Sequence, residues 1–209
     1  MEHAPAQAGH LETSTGLDNR KLLMWLFLAS ECLFFGSLIG AYLLYRGRNL
    51  SPPCPQDTVL NGVACPGVYD IPFTSISSFV LLMSSLTMVL ALAAIQRNDQ
   101  RGLRVWLLAT ALLGITFLAG QAFEFTEFHN EGLSISSSLF GTTFFVLTGF
   151  HGAHVSVGVL ILLSLFVMAW RGRLNQEQSL NVELIGLYWH FVDVVWIVIF
   201  TLVYLLQPT

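Results

Sequence analysis

The chain has 209 residues, of which 54% are hydrophobic and only 11% are charged, with a positive mean hydropathy and a formal net charge of −4. That is too little charge to solvate the surface of an ordinary globular protein, so the composition excludes the soluble classes and assigns the chain to the membrane class. Nothing in this balance points to a nucleic-acid partner.

A spanning helix needs about 20 predominantly apolar residues. Runs of that kind bounded by charge lie at about 22–45, 72–96, 103–125, 138–170 and 184–206. They are continuous, without period-two alternation, and helices satisfy their own backbone groups in lipid, so they read as helices rather than barrel strands. No repeat of fixed length is visible. The expected fold class is all-α: a polytopic membrane protein, a bundle of five transmembrane helices forming one domain over 21–207.

In chain order, residues 1–20 read "MEHAPAQAGHLETSTGLDNR". They lack the charged, apolar, small-residue order of a cleaved signal peptide and are expected to form a flexible N-terminal tail. The first span carries Glu31 about nine residues in, near mid-bilayer at a rise of about 1.5 Å per residue. It also holds Cys32, without an obvious partner, and Gly36 and Gly40, four apart, the spacing that lets two helix backbones approach closely.

The connection "RGRNLSPPCPQDTVLNGVACPGVYD" follows, with Cys54 and Cys65. These are either a disulfide on an oxidising outer side or two separate thiols. "RNDQRG" at 97–102 reads as a tight turn between the second and third spans, and "TEFHNEG" at 126–132 as a short outer turn. Near the outer end of the third span stand Gln121 and Glu124, three apart. The fourth run is longer than one crossing requires, so it tilts or projects beyond the membrane. It contains Gly141, Gly149, Gly152 and Gly158 with Thr148 and Ser156, read as close-packing positions, and also His151 and His154. The fifth, "YWHFVDVVWIVIFTLVYLL", begins with His190 and Asp193, preceded by Glu183.

Positive charge is retained on the cytoplasmic side. Arg20, Lys21, Arg97, Arg101, Arg104, Arg171 and Arg173 fall on one side of the five spans and Arg46 and Arg48 on the other, seven against two. The N-terminus is therefore expected in the cytoplasm and the C-terminus outside. All seven inner residues except Arg20 and Lys21, together with Arg46 and Arg48, are candidates for lipid headgroup contacts. Ordinary positive-inside flanking is the stronger of the two accounts for each of them.

An ionisable side chain inside a spanning helix is a functional-site hypothesis by default. Spacings of three, four and seven place Glu183, His190 and Asp193 along one stripe, and His151 with His154 along another. Three readings are open. The groups are structural hydrogen-bond links between helices, each worth on the order of 1 kcal/mol; or a proton or ion path; or metal or haem ligands. Against the last, the glutamates are not in the Glu-x-x-His pattern of bundle di-iron sites, and there is no Cys-x-x-Cys-His. No metal and no catalytic residue is assigned.

The segment "VELIGLYWHFVDVVWIVIFTLVYLL" closely resembles the last transmembrane helix of subunit III of the haem–copper oxidases, whose signature Tyr-Trp-His-Phe-Val-Asp-Val-Val-Trp stands complete from Tyr188 to Trp196. Three further blocks follow the family's order. "LASECLFFGSLIGAYLLYR" resembles its Ser-Glu-x-x-Phe-Phe helix and places its buried carboxylate at Glu31. "GQAFEF" resembles its Gly-Gln-x-x-Glu-Tyr block and places Gln121 and Glu124, with Phe125 where a tyrosine is usual. "GFHGAHVSVG" resembles its Phe-His-Gly-x-His block and places His151 and His154. The blocks cover residues 20–206.

The resemblance implies a non-redox subunit III that supports the catalytic subunit of an oxidase in oxygen reduction and proton pumping during aerobic respiration. The haems and copper then lie in partner subunits. It further implies subunits I and II as partners, a small subunit IV as a further candidate, and bound structural phospholipid. "KLLMWLFLASE" is more similar to cytochrome c oxidases of the aa3/caa3 kind than to quinol oxidases, whose corresponding helix usually carries an aspartate. Longer family members have two additional N-terminal helices enclosing a lipid-filled cleft, which here a neighbouring subunit would have to complete. The alternatives are subunit III of a quinol oxidase, a subunit III-like partner of nitric oxide reductase, an autonomous proton or ion transporter, and a membrane cytochrome ligated by His151, His154 or His190.

Overall fold

The computed structural model describes residues 18–45, 58–60, 63–65, 70–130, 133 and 139–206. Its long helices are α1 (Asn19–Tyr45), α2 (Ile71–Gln96), α3 (Gln100–Asn130), α4 (Leu139–Trp170) and α5 (Ser179–Phe200). A 3₁₀ turn, Gln176–Gln178, leads into α5, and a π-helical turn, Thr201–Leu205, continues it. All five helices are long and apolar enough to cross a membrane. Among the described residues, the one departure from an all-α description is a short antiparallel ribbon in the first connection, β1 (Thr58–Leu60) and β2 (Val63–Cys65), with Thr58 opposite Cys65. Asn61-Gly62, a dipeptide favoured in two-residue hairpin connections, separates the strands in sequence.

Local chemistry sets the helix ends. Asp70 starts α2 by accepting the Phe73 N–H on Oδ1 at 3.2 Å, and a proline follows in the first turn, where its missing N–H is not needed. Asn98 adopts a left-handed conformation (φ 57°) that ends α2. Asp99 then accepts the N–H groups of Arg101 and Gly102 at 3.1 and 3.0 Å and starts α3. The turn expected over 97–102 is therefore shorter, because Asp99 draws the last of those residues into the next helix. At the far end of α4, Gly172 (φ 67°) lets Arg173 donate to the Met168 carbonyl at 2.9 Å.

The outer turn expected at 126–132 begins later, since α3 runs on to Asn130. The physical reason is Phe128. It extends the buried row Phe117, Gln121, Glu124 by one more turn and meets the ring of Phe144 at 5.6 Å, so the helix keeps a packing face after its surface has turned polar. α4, with 32 residues, is about 48 Å long against a hydrocarbon core of about 30 Å, as its run length implied.

α2 packs along α3 and α3 against α4, while α5 touches α1, α2 and α4. α1 is peripheral: it packs on α4 and α5 and buries the smallest share of its length. Its buried row is Leu28, Phe35 and Tyr42, seven apart. That rotation turns Gly36 and Gly40 outward, and among the described residues a Cβ at either would meet nothing within 4 Å; the same holds for Gly149. The packing role expected of these three glycines is thus not one played among the described residues. Gly158 and Gly152 do sit at close contacts, as does Gly114 of α3.

Candidate functional site

The polar groups at bilayer depth are met by hydroxyls and carbonyls of neighbouring helices. The densest set joins α5 to α2. Trp189 donates its indole N–H to the Ser84 hydroxyl at 2.9 Å, and Trp196 donates to Ser78 at 2.8 Å. Both serines give their own hydrogen to carbonyls of α2, Ser84 to Leu81 at 2.5 Å and Ser78 to Thr74 at 2.7 Å. Each hydroxyl is therefore used as donor and acceptor, which is what a polar group needs where no water is available. Next to the Trp189–Ser84 rung, the Ser85 hydroxyl lies 2.5 Å from His190 Nδ1. Asp193 is buried close to Ser85, yet neither carboxyl oxygen makes a hydrogen bond among the described residues.

The Trp189 ring occupies a slot made by glycines on two other helices. A Cβ at Gly114 would come 2.7 Å from the ring, and one at Gly158 would come 2.8 Å from it. Glycine recurs for the same reason between the two histidines of α4: Gln121 of α3 donates to the Thr148 carbonyl at 2.8 Å, and its side-chain oxygen would be 2.6 Å from a Cβ at Gly152. Glu124 accepts a hydrogen bond from Thr74, tying α3 to α2. The hydroxyls of Thr87 and Thr110 meet at 2.8 Å lower on the same interface.

His151 and His154, three residues apart, are 60° apart around α4 at 100° per residue and serve different neighbours. His151 is fully buried. Its Nε2 faces the Val192 carbonyl of α5 at 3.2 Å and so carries the hydrogen, while the Trp196 ring lies 4.8 Å from its own. Its Nδ1 is buried without a hydrogen-bond partner among the described residues. His154 turns to α1, where Nε2 lies 3.2 Å from Glu31, while Nδ1 faces the Phe150 carbonyl at 2.7 Å. A carbonyl only accepts, so Nδ1 holds a hydrogen. Nε2 then either donates to a carboxylate or accepts from a carboxylic acid, and both arrangements leave the pair with zero net charge.

The stripe expected of Glu183, His190 and Asp193 divides in the structure. Glu183 pairs with Lys21 of α1 at 2.7 Å, about one-third exposed, whereas His190 and Asp193 turn toward α2. Among the candidate polar residues, only Glu31 and His154 bond each other. They sit in the wall of an apolar groove of about 480 Å³ between α1, α4 and α5, lined also by Met24, Phe27, Phe150 and Tyr188. Among the described residues no three His, Cys, Asp or Glu side chains converge on a common point.

Of the candidate headgroup residues, Arg104 donates from Nε to the Ala169 carbonyl at 3.2 Å and lies 6.0 Å from the Trp170 ring centre, bridging α3 and α4. Arg97, Arg101, Arg171 and Arg173 are exposed. Arg46, Arg48, Cys54 and the side chain of Cys65 lie outside the described residues.

Sequence reasoning passed over the acceptors. Thr74, Ser78, Ser84 and Ser85 supply the α2 side of the network, and their signal was present as hydroxyl pairs at 74/75, 77/78 and 84/85, about one and two turns apart, in an otherwise apolar helix. The two indole donors lie within the signature that drew attention to His190 and Asp193.

The structure therefore defines a class: a multi-pass membrane bundle whose ionisable groups are turned mainly to interhelical bonds. The family model described as "Cytochrome c oxidase subunit III" matches residues 6–207. Cytochrome c oxidase subunit 3 of Synechocystis sp. is 44% identical over 193 residues, covering 90% of this chain and 76% of the relative. The protein of the same name from Bacillus sp. (strain PS3) is 35% identical over 188 residues, 90% and 86% of the two chains. Quinol oxidase subunit 3 of Bacillus subtilis (strain 168) is 32% identical over 210 residues, 99% and 98% of the two. The chain belongs to the cytochrome c oxidase subunit III family, a multi-pass protein of the bacterial inner membrane and one subunit of a haem–copper oxidase complex.

Proposed function

We propose that the chain is the non-redox subunit III of a cytochrome c oxidase of the aa3/caa3 kind, lying against the catalytic subunit I with subunit II in the same complex. Haems and copper belong to those partners, and this chain supports oxygen reduction and proton pumping by holding a stable membrane scaffold beside them. The observation that carries this reading is the use of the histidines: His151 faces a backbone carbonyl, His154 a carbonyl and Glu31, and His190 a serine. They point to three different helices and offer no shared coordination site. Among the described residues, the donors of these side chains are turned to separate partners, which supports placing the haem and copper centres in the other subunits.

The excess of Lys and Arg on one side supports an N-inside orientation. The groove between α1, α4 and α5 is suited to a phospholipid acyl chain, since its walls are apolar and its two ionisable groups already engage each other. A neighbouring subunit, such as a small subunit IV, would stand where seven-helix members have two further helices.

The greater identity to relatives named as cytochrome c oxidases supports the cytochrome c type. Quinol oxidase subunit 3 is the second reading, favoured by its end-to-end match. Purification of the intact complex, with its visible spectrum and its activity on reduced cytochrome c and on a quinol, tests both. Oxidation of cytochrome c by a complex holding this chain supports the proposal; oxidation of the quinol alone gives the second reading. A Soret band in the purified single chain, or proton transport by it alone, would overturn both.

A further inference from the structure

The candidate polar residues of the transmembrane bundle differ in which way they face. Gln121, Glu124, His151 and Asp193 are buried, and Glu31 with His154 satisfy each other in the groove wall. His190 is the exception. Its Nδ1 is taken by Ser85 at 2.5 Å, but the residue is only partly buried, and Nε2 reaches the outer surface with no partner among the described residues.

Depth decides what can answer it. His190 is seven residues beyond Glu183, about 10 Å deeper at about 1.5 Å per residue than the Lys21–Glu183 ion pair. That is below the level of lipid headgroups, and an imidazole is too short to reach back to them. An acyl chain neither donates nor accepts a hydrogen bond, so leaving a ring nitrogen against hydrocarbon is costly. The surrounding surface is apolar and open: Leu187 precedes His190 and Val194 and Ile197 follow it along the outer stripe of α5, and Leu82 and Val89 flank it on α2, with Val194 57% and Val89 50% exposed. The groove face, by contrast, can be filled by hydrocarbon without leaving a polar atom unmet.

We propose that this α2/α5 face, centred on His190, is the docking surface for the haem-bearing catalytic subunit, and that a membrane helix of that subunit brings a hydrogen-bonding side chain to His190 Nε2. The proposal rests on the reading of the chain as an oxidase subunit. It adds which side of the bundle meets the catalytic subunit and which residue fixes the contact.

The test uses the intact oxidase complex carrying a photoreactive benzoylphenylalanine at one of two exposed positions, Val194 on the proposed face or Leu160 on the outer side of α4. Irradiation is expected to join the Val194 variant to the haem-bearing subunit and to leave the Leu160 variant unjoined to it. Cross-linking from Leu160 but not Val194, adducts of Val194 with lipid alone, or adducts of Val194 with a second copy of this chain would each overturn the assignment. Replacing His190 by phenylalanine is expected to lower retention of the chain on the haem-bearing subunit in detergent about fivefold, the equivalent of one interhelical hydrogen bond. Unchanged retention would exclude His190 as the anchoring contact. Because H190F also removes the bond to Ser85, the Val194 cross-link, made with His190 intact, decides the face independently. If the wild-type chain fails to co-purify with any haem-bearing subunit, the oxidase reading itself falls, an outcome distinct from a cross-link on the wrong face.

Discussion

Trp189 and Ser84 form the central rung between α5 and α2, an indole N–H to hydroxyl bond of 2.9 Å made by a ring wedged between two glycines. Hydrogen bonding and packing act here on one side chain. The glycines admit the ring to the middle of the bundle, and Ser84 answers the polar atom that arrives with it.

Replacing Gly158 or Gly114 by alanine is expected to destabilise the chain by about 1–3 kcal/mol, because the added methyl would overlap the Trp189 ring and the enclosed ring has nowhere to go. Gly36→Ala and Gly40→Ala, where the same methyl meets nothing, should stay within about 0.5 kcal/mol. Thermal unfolding of the detergent-solubilised complex, followed by release of this subunit, distinguishes the two pairs.

Ser84→Ala and Trp189→Phe each remove one end of the rung. In a double-mutant cycle their coupling should be about 0.6–1.7 kcal/mol, the range of hydrogen bonds between membrane helices. Coupling near zero would mean that Trp189 is held by its glycine slot alone.

Glu31 and His154 should behave as a unit. Glu31→Leu alone leaves His154 facing an apolar wall, and His154→Phe alone leaves the carboxyl without its partner. Each single change is expected to weaken the α1–α4 contact more than the pair of changes together, since removing both ends leaves no unmatched polar group. Retention of native subunit III in the complex after mild heating is the measurement, and simple additivity would contradict the pairing.

His190→Ala and Asp193→Ala are expected to reduce assembly of the oxidase, or its working lifetime over many turnovers, more than its initial rate. Both residues lie at the α2/α5 interface and neither belongs to a redox centre. An immediate loss of turnover with full assembly would instead assign them to proton movement.

The Lys21–Glu183 ion pair should matter little by comparison. With both side chains about one-third exposed, Lys21→Ala is expected to cost about 1 kcal/mol or less, and less again at high salt. Unfolding measured at low and high ionic strength checks this.

Five helices were legible in the chain because a bilayer has a fixed thickness, and an apolar run can be measured against it without knowing what lies beside it. The family was legible for a related reason: its polar residues stand in short, ordered blocks. Tertiary structure decided the rest. Which glycines are packed was not readable, since Gly36 and Gly158 are chemically the same and only the rotation of α1 turns one outward while Trp189 crowds the other. The end of α3 was not readable from polarity, because Phe128 keeps a buried face among Glu127, His129 and Asn130. Nor were the partners of the polar groups. Each step along a helix turns a side chain by about 100°, so His151 and His154, Glu183 and Asp193, although close in sequence, reach different neighbours once the helices take their places. Length against the membrane is a property of one segment, but a hydrogen bond belongs to two, and only their packing brings the second one into place.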